Sequence, residues 1–225
     1  LYNHSRFYEE LVKLYEKKGD ANNAEQCFNL AIVEHKKNPE HLHFAIQLAD
    51  KRGKKALALE LAIEKAEKDN GYKDVESYAD AAQRAEKLGD KRATALYERA
   101  LNAGLNHEKY LMYSGNKGDI LSFACKVGTP DAIIKAHIQI ANEDYHEREG
   151  HYHSAAEIAK KAEYALLTVA FYRKAGESEK AVDFLVEKGR IFSAITLAKK
   201  DIGNKQAAYL ALKHQRPEIA LQCIN

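Results

Sequence analysis

Tryptophan is absent from the sequence, and methionine, proline and cysteine are scarce, at one, three and three residues in 225. The cysteines are far apart and form no CxxC pair, which excludes a disulfide framework. Cys27, Cys125 and Cys223 are therefore predicted to be small core residues in a reducing compartment. No run approaches the roughly 20 apolar residues of a membrane-spanning helix. No basic-then-apolar leader is visible, so we expect a cytoplasmic protein without membrane insertion.

Charge of one sign is also lacking, because 35 Lys and Arg residues face 33 Asp and Glu residues and the formal net charge is +2. This balance gives no reason to expect a nucleic acid, an anionic membrane or an acidic substrate as partner. The chain is rich instead in Ala, Leu, Glu and Lys, which are strong helix formers. It begins at Leu1 without Met and stops just after a predicted helix, so we expect a segment of a larger protein.

The first 39 residues predict a helical hairpin. One apolar stripe at helical spacing consists of Phe7, Leu11, Leu14 and Tyr15. Gly19-Asp20 then ends the helix, since Gly readily adopts the left-handed conformation found at helix C-termini. A second stripe, which runs on to Asn38-Pro39, consists of Ala24, Cys27, Phe28 and Ala31. No run alternates apolar and polar residues as a strand would.

Similar breaks recur along the chain. Breaks within hairpins are predicted at Gly19-Asp20, Gly53, Gly89-Asp90, Gly118-Asp119, Gly150 and Gly176-Glu177. Breaks between hairpins are predicted at Asn70-Gly71, Ala103-Gly104, Gly128-Thr129-Pro130 and Gly203-Asn204. The within-hairpin spacings are 34, 36, 29, 32 and 26 residues. Since a period in the thirties is typical of stacked helical hairpins, we predict an all-α solenoid. It would span residues 1–225 as a right-handed superhelix of six to seven hairpins, with a kink or a change of repeat type near 104–130.

The first hairpin resembles the tetratricopeptide repeat. The matching positions are Tyr8, Leu11, Tyr15, Gly19, Asp20, Ala24, Phe28 and Ala31. Val12 stands where that family has a small residue, and Pro39 comes a few residues later than the family's closing Pro. Parts of the later repeats fit as well, and residues 176–200 resemble the degenerate helical repeats of coatomer and intraflagellar-transport subunits.

The tetratricopeptide resemblance implies a concave groove that is lined by the first helix of each hairpin and binds a peptide or a partner helix. By position, its residues would be Arg6, Glu9, Lys13, Lys17, His43, Gln47, Asp50, Ala79, Gln83 and Glu86. Family members that grip a C-terminal carboxylate place cations on this surface. Glu9, Ala79 and Gln83 occupy such positions here, so the resemblance disfavours recognition of a chaperone tail.

Two short motifs contain residue types that can carry chemistry. Residues 116–119 read Asn-Lys-Gly-Asp, the guanine-reading pattern of GTPases, but no phosphate-binding glycine loop accompanies them. We interpret them as a helix-ending turn. The second motif contains His146, Glu147, Glu149, His151 and His153. Imidazole and carboxylate groups suit zinc, but the spacing is not helical HExxH, and Gly150 is expected to break the helix between the histidines. We predict no metal site, no cofactor and no catalytic residue.

A non-catalytic scaffold that binds a protein or peptide within a larger assembly is the function that these patterns favour. One alternative is an RNA-binding helical-repeat module, which would need a row of cations along the groove. Another is a structural segment of a vesicle-coat or intraflagellar-transport subunit. A third is a glycosidase built on a closed ring of hairpins, which would need two well-placed carboxylates. The mixed charges of the predicted groove disfavour RNA binding, and closing a ring of hairpins usually needs a longer chain.

Overall fold

The computed structural model describes residues 2–69, 72–111 and 114–224, and all regular structure in them is helical. It divides into two compact units, Leu1–Tyr110 and Leu111–Asn225. No helix among these residues is both long and apolar enough to cross a membrane. The helices are α1 Tyr2–Lys17, α2 Ala21–Lys36, α3 Leu42–Lys51, α4 Lys55–Lys68, α5 Tyr72–Leu88, α6 Ala93–Asn106, α7 Glu108–Leu111, α8 Ser114–Val127, α9 Pro130–Glu143, α10 Arg148–Lys161, α11 Ala165–Lys174, α12 Ser178–Glu187, α13 Ile191–Asp201, α14 Asn204–Lys213 and α15 Pro217–Ile224.

The first unit is built from the hairpins α1–α2, α3–α4 and α5–α6. Each hairpin turns at a glycine with positive φ: Gly19 at +74°, Gly53 at +67° and Gly89 at +66°. Glycine adopts this left-handed conformation without the strain of an L side chain. Each of these glycines lies between the two helices of its hairpin, so the predicted breaks are confirmed. Asp20 then caps α2, because its Oδ1 accepts the backbone N–H of Asn23 at 3.1 Å.

Alanine lets the helices of the first unit approach closely. Ala24 and Ala31 of α2, Ala45 of α3, Ala58 of α4 and Ala81 of α5 are all fully buried. Larger side chains fill the space between the hairpins, and the fully buried ones include Phe28, Leu42, Leu59, Leu61 and Val75. The repeated pattern of small and large apolar residues thus produces one continuous core in this unit.

The apolar stripe predicted for α1 is wrong in part. Phe7 is 59% exposed and Leu14 is 46% exposed, whereas Ser5 and Val12 are buried against the rest of the unit. The positions equivalent to Leu11 in the next two hairpins, Ala45 and Ala81, are fully buried beneath the helices that precede them. In the described structure no helix precedes α1, so one apolar side of this helix faces solvent.

The helices after α10 are shorter, and their turns repeat at a shorter interval. Helices α11, α12 and α14 have ten residues each and α13 has eleven, whereas α8, α9 and α10 of the same unit have 14 each. The turns before α11, α13 and α15 each contain a left-handed residue, and these residues stand 26 apart: Glu163 at φ +62°, Gly189 at +71° and Gln215 at +59°. A single buried cluster connects Ile134 of α9 with Cys223 of α15. A change of repeat type near 104–130 stays a prediction.

Two predicted breaks are wrong. Gly118 lies within α8 and Gly150 within α10, and neither has a positive φ. The turn between α9 and α10 instead spans residues 144–147. The break predicted at Ala103-Gly104 comes later, because α6 continues to Asn106. The break predicted at Asn70-Gly71 falls outside the described residues.

The breaks predicted at residues 128–130, 176–177 and 203–204 are confirmed. Thr129 caps α9 by accepting the N–H of Ala132 at 3.3 Å, and Pro130 occupies the first turn, where its missing N–H leaves no bond unmade. Gly176 adopts φ +74° between α11 and α12.

Candidate functional site

An open cavity of about 890 Å³ lies between α3, α4 and α5 in the first unit. His43 and Gln47 of α3 line one wall, and residues of α5 from Lys73 to Arg84 line the other. The His43 ring is fixed in place, because its Nδ1 lies 2.7 Å from the carbonyl oxygen of Glu40 and its centroid lies 3.8 Å from that of Phe44. The structure therefore brings two of the predicted groove residues to one surface.

Arg84 joins the walls of this groove. Its Nη1 donates to Asp50 of α3 at 2.8 Å, and its Nε donates to Asp80 of α5 at 2.8 Å. Burial by itself would lower the pKa of Arg84, but the hydrogen bonds to Asp80 and Asp50 outweigh it, so the pKa is raised. A second cavity of about 290 Å³ beside Arg84 is lined by Asp50 and Gln83, two more predicted groove residues.

A polar trio at the end of the large cavity was not predicted from the sequence. Lys65 donates from Nζ to Asp69 at 2.6 Å and to Ser77 at 2.5 Å, and the Ser77 hydroxyl donates to Asp69 at 2.6 Å. Burial would raise the pKa of Asp69, but the bonds from Lys65 and Ser77 lower it. These bonds join Lys65, in the last turn of α4, and Asp69, which follows that helix, to Ser77 of α5. The trio therefore has a structural role, connecting the end of α4 to α5.

The four groove residues predicted on α1 separate into two groups. Oε1 of Glu9 lies 2.9 Å from Nε2 of His35, a buried residue of α2, so Glu9 contacts the second helix of its own hairpin. Arg6, Lys13 and Lys17 are exposed. Lys13 and Lys17 border a cavity of about 340 Å³ whose other walls are the exposed apolar residues Phe7 and Leu14 together with Leu11.

Two residues that the resemblance places in the groove lie elsewhere. Ala79 is only 8% exposed and belongs to the core. Glu86 accepts a hydrogen bond of 2.9 Å from the hydroxyl of Tyr97, which lies on α6, the second helix of that hairpin. Burial, followed by this bond, raises the pKa of Tyr97 to about 12. Of the predicted groove residues, His43 and Gln47 therefore line the larger cavity, and Asp50 and Gln83 line the smaller one. Asp80 and Arg84 line both, and the two cavities together are called the groove of the first unit below.

The histidines of the second predicted motif contact different partners in the second unit. His151 faces His137 of α9, with 2.9 Å between their Nδ1 atoms, while Nδ1 of His153 lies 2.7 Å from Glu177. Burial, and secondly His151, lower the pKa of His137 to about 4. No group of three or more His, Cys, Asp or Glu residues is placed to hold a metal ion in the part of the chain that the structure describes.

The remaining motif residues have structural surroundings. Asn116 and Lys117 lie inside α8 and do not form the predicted helix-ending turn. The Lys117 ammonium forms an ion pair with Asp144, in the turn before α10. Hydrogen bonding by Lys117 holds the pKa of Asp144 below its usual value. Cys27 and Cys223 are buried as expected, but Cys125 is exposed, so the prediction of a core position is wrong for this cysteine.

The hairpins of the first unit turn at left-handed glycines that are 34 and 36 residues apart, and this repeat identifies the fold. It is that of tetratricopeptide-like helical repeats. No protein-family model matches the sequence, and no curated protein matches it significantly.

Several solved structures are similar in fold. The MamA protein is 15% identical, with 84% of this chain and 96% of that chain covered and a TM-score of 0.38. The complex of the TPR2AB domain of yeast Sti1 with pHSP90 is 14% identical, with 97% and 95% covered and a TM-score of 0.31. A tetratricopeptide repeat protein from Parabacteroides merdae is 15% identical, with 96% of both chains covered and a TM-score of 0.29. At these TM-scores the similarities have no bearing on function or partner.

Proposed function

We propose that the protein is a non-catalytic interaction scaffold and that its first unit binds an extended peptide or a partner helix along α3 and α5. The observation that carries this proposal is the open cavity of about 890 Å³ between these helices. Its walls present polar and charged side chains from both helices. A groove of this kind suits a peptide whose backbone and side chains form hydrogen bonds with the walls.

The charges in the groove support a protein partner over RNA. Four Lys and Arg residues line the large cavity: Lys65, Lys68, Lys73 and Arg84. Three of them are paired, Arg84 with Asp50 and Asp80, Lys65 with Asp69, and Lys68 with Glu64. RNA binding by helical repeats needs cations that are available to phosphates. The mixed surface suits instead a polypeptide that carries both signs of charge.

The test is a comparison of partner capture by four versions of the full chain. Gln47→Arg and Gln83→Arg each introduce a long side chain into one of the two cavities. Gln26→Arg is the matched control, since Gln26 is exposed on α2 and lines neither cavity. We expect a partner retained by the wild type and by the control to be lost from both groove variants.

The opposite result would be a partner retained equally by all four proteins, which would place the interaction outside this groove. Photo-crosslinking from position 47 and from position 26 then distinguishes the two faces directly. A crosslink from position 47 alone supports the proposal, and a crosslink from position 26 alone contradicts it.

We also propose that the protein acts in the cytoplasm as part of a larger assembly. All three cysteines are free thiols, and Cys125 is exposed, which suits a reducing compartment. Determining the redox state of Cys125 in cells tests this. A thiol that is fully reduced before cell lysis fits the proposal, and a disulfide-bonded one contradicts it.

A further inference from the structure

The positive charge of the chain is concentrated near its C-terminal end. Residues 188–216 contain seven Lys or Arg residues and one acidic residue, Asp201. That carboxylate is occupied, since Arg173 of α11 donates to both of its oxygens. The whole chain has a net charge of only +2, so this region is a local exception to the balance of charges.

Two of these cations border a single cavity. A space of about 560 Å³ opens at the edge of the second unit, between the turn before α13 and the turn before α15. Arg190 lies on one side of it and Arg216 on the other. Among the described residues, neither guanidinium forms an ion pair or a hydrogen bond with another side chain. Both arginines are exposed and available to an anion.

The floor of the same cavity is apolar. Ile191, Phe192 and Ile195 of α13 and Ile219 of α15 line it, and Phe192 is 71% exposed. The equivalent position one hairpin earlier, 26 residues before Phe192, is Leu166, which is 78% exposed. A large apolar side chain at the second residue of a helix is therefore exposed in two successive hairpins. Exposed apolar residues bordered by cations are typical of interaction sites.

We propose that this cavity, the Arg190–Arg216 edge, is a second interaction surface that binds an acidic peptide segment through one large apolar side chain. The apolar side chain would pack on Phe192 and Ile219, and carboxylates on either side of it would pair with the two guanidinium groups. Arginine suits this role because its planar fork binds carboxylates in a bidentate manner. The surface lies in the second unit and is separate from the groove of the first.

The test measures binding of a short fluorescein-labelled peptide, in which Asp and Glu residues flank a Phe-Leu pair, to the full chain by fluorescence anisotropy. We expect Arg190→Glu and Arg216→Glu each to weaken binding by about tenfold or more. The charge-matched control is Lys205→Glu, which lies on α14 and does not line the cavity. It should change affinity by about twofold or less, because an exposed charge outside the contact acts only through screened attraction.

The apolar half of the proposal has its own control. A peptide with Ser-Ser in place of Phe-Leu should bind several-fold more weakly, and Phe192→Ser should remove that difference. Gln47→Arg, in the groove of the first unit, should leave binding of the acidic peptide unchanged, so failure here is distinguishable from failure of the scaffold proposal. Circular dichroism verifies that each variant remains folded.

Three results would overturn the proposal. The first is the absence of measurable binding by the wild type. The second is equal weakening by Lys205→Glu and Arg190→Glu, which would indicate general attraction between charges. The third is equal affinity for both peptides together with displacement by single-stranded RNA or by phosphatidylserine vesicles, which would indicate a surface for phosphate groups and not for a peptide.

Discussion

The imidazoles of His137 and His151 face each other across α9 and α10, with 2.9 Å between their Nδ1 atoms. At this distance one ring donates its N–H to the other, which two protonated rings cannot do. Glu147 lies 3.6 Å from the opposite nitrogen of His151. Burial and, secondly, His151 lower the pKa of His137 to about 4, so the folded protein holds the His137 ring neutral at this contact between α9 and α10.

This pair predicts a loss of stability in mild acid. An unfolded histidine titrates near pH 6.5, so between about pH 6.5 and pH 4 the unfolded chain binds more protons at position 137 than the folded chain does. The contribution of His137 to the free energy of unfolding should therefore fall by about 2–3 kcal/mol as the pH decreases through this window, and this contribution levels off below it. Urea unfolding followed by circular dichroism at several pH values measures this. His137→Gln should remove most of this dependence, and a variant with an unchanged slope would contradict the assignment.

Glu9 should matter for folding more than for binding. It is the partner of Nε2 of the buried His35, whose Nδ1 has no hydrogen-bond partner among the described residues. Glu9→Ala leaves both ring nitrogens without a partner and should lower the free energy of unfolding by about 1–3 kcal/mol. Glu10→Ala is the matched control, since Glu10 pairs with Lys13 in solvent and its loss should cost much less. Equal effects of the two substitutions in urea unfolding would contradict the role of Glu9.

Opposite substitutions in two equivalent turns should have opposite effects. Glu163 and Gly189 stand 26 residues apart, and both adopt left-handed conformations. Glu163→Gly should stabilise the second unit by roughly 1 kcal/mol, because it relieves the strain of an L side chain. Gly189→Ala should destabilise it by a similar amount, although no atom lies within 4 Å of the added methyl group. Destabilisation by both substitutions would show that the Glu163 side chain contributes more than its backbone strain costs.

Ser77 should prove structural and chemically inert. Its hydroxyl completes the bonds between Lys65 and Asp69, so Ser77→Ala should lower the free energy of unfolding by about 1–2 kcal/mol. A fluorophosphonate probe, which labels activated serines, should leave the wild type unmodified. Labelling of the wild type that disappears in Ser77→Ala would contradict this prediction and indicate a hydrolase.

The sequence predicts turns well where the backbone itself demands glycine. Gly19, Gly53 and Gly89 were identified because a left-handed turn between two amphipathic helices has few other solutions. The prediction that Gly118 and Gly150 end a helix is wrong, because glycine is tolerated inside a helix at a modest cost when packing supports the helix. The turn at Glu163 has neither glycine nor proline, so no local signal marks it, whereas the turn at Gln215 is marked by Pro217 at the first position of α15.

The candidate functional site could be predicted only in part, because the exposure of a side chain depends on how the helices pack against each other. Helical periodicity predicts which residues share a face of α1, but burial depends on whether another helix covers that face, and no helix among the described residues covers Phe7 or Leu14. The family resemblance predicts groove positions for His43, Gln47, Asp50 and Gln83, and the structure places them beside two cavities. It could not foresee that Glu9 and Glu86 contact the second helices of their hairpins, because those contacts depend on His35 and Tyr97.

The 26-residue spacing of Glu163, Gly189 and Gln215 has an evolutionary consequence. Copying a block of this length would add one complete hairpin and leave every left-handed position in register. An insertion of one or two residues inside a helix would instead rotate the apolar side of the rest of that helix by about 100° per residue, away from the core. The second unit can therefore lengthen by duplication more readily than by small insertions, and each copy would inherit the same exposed edge.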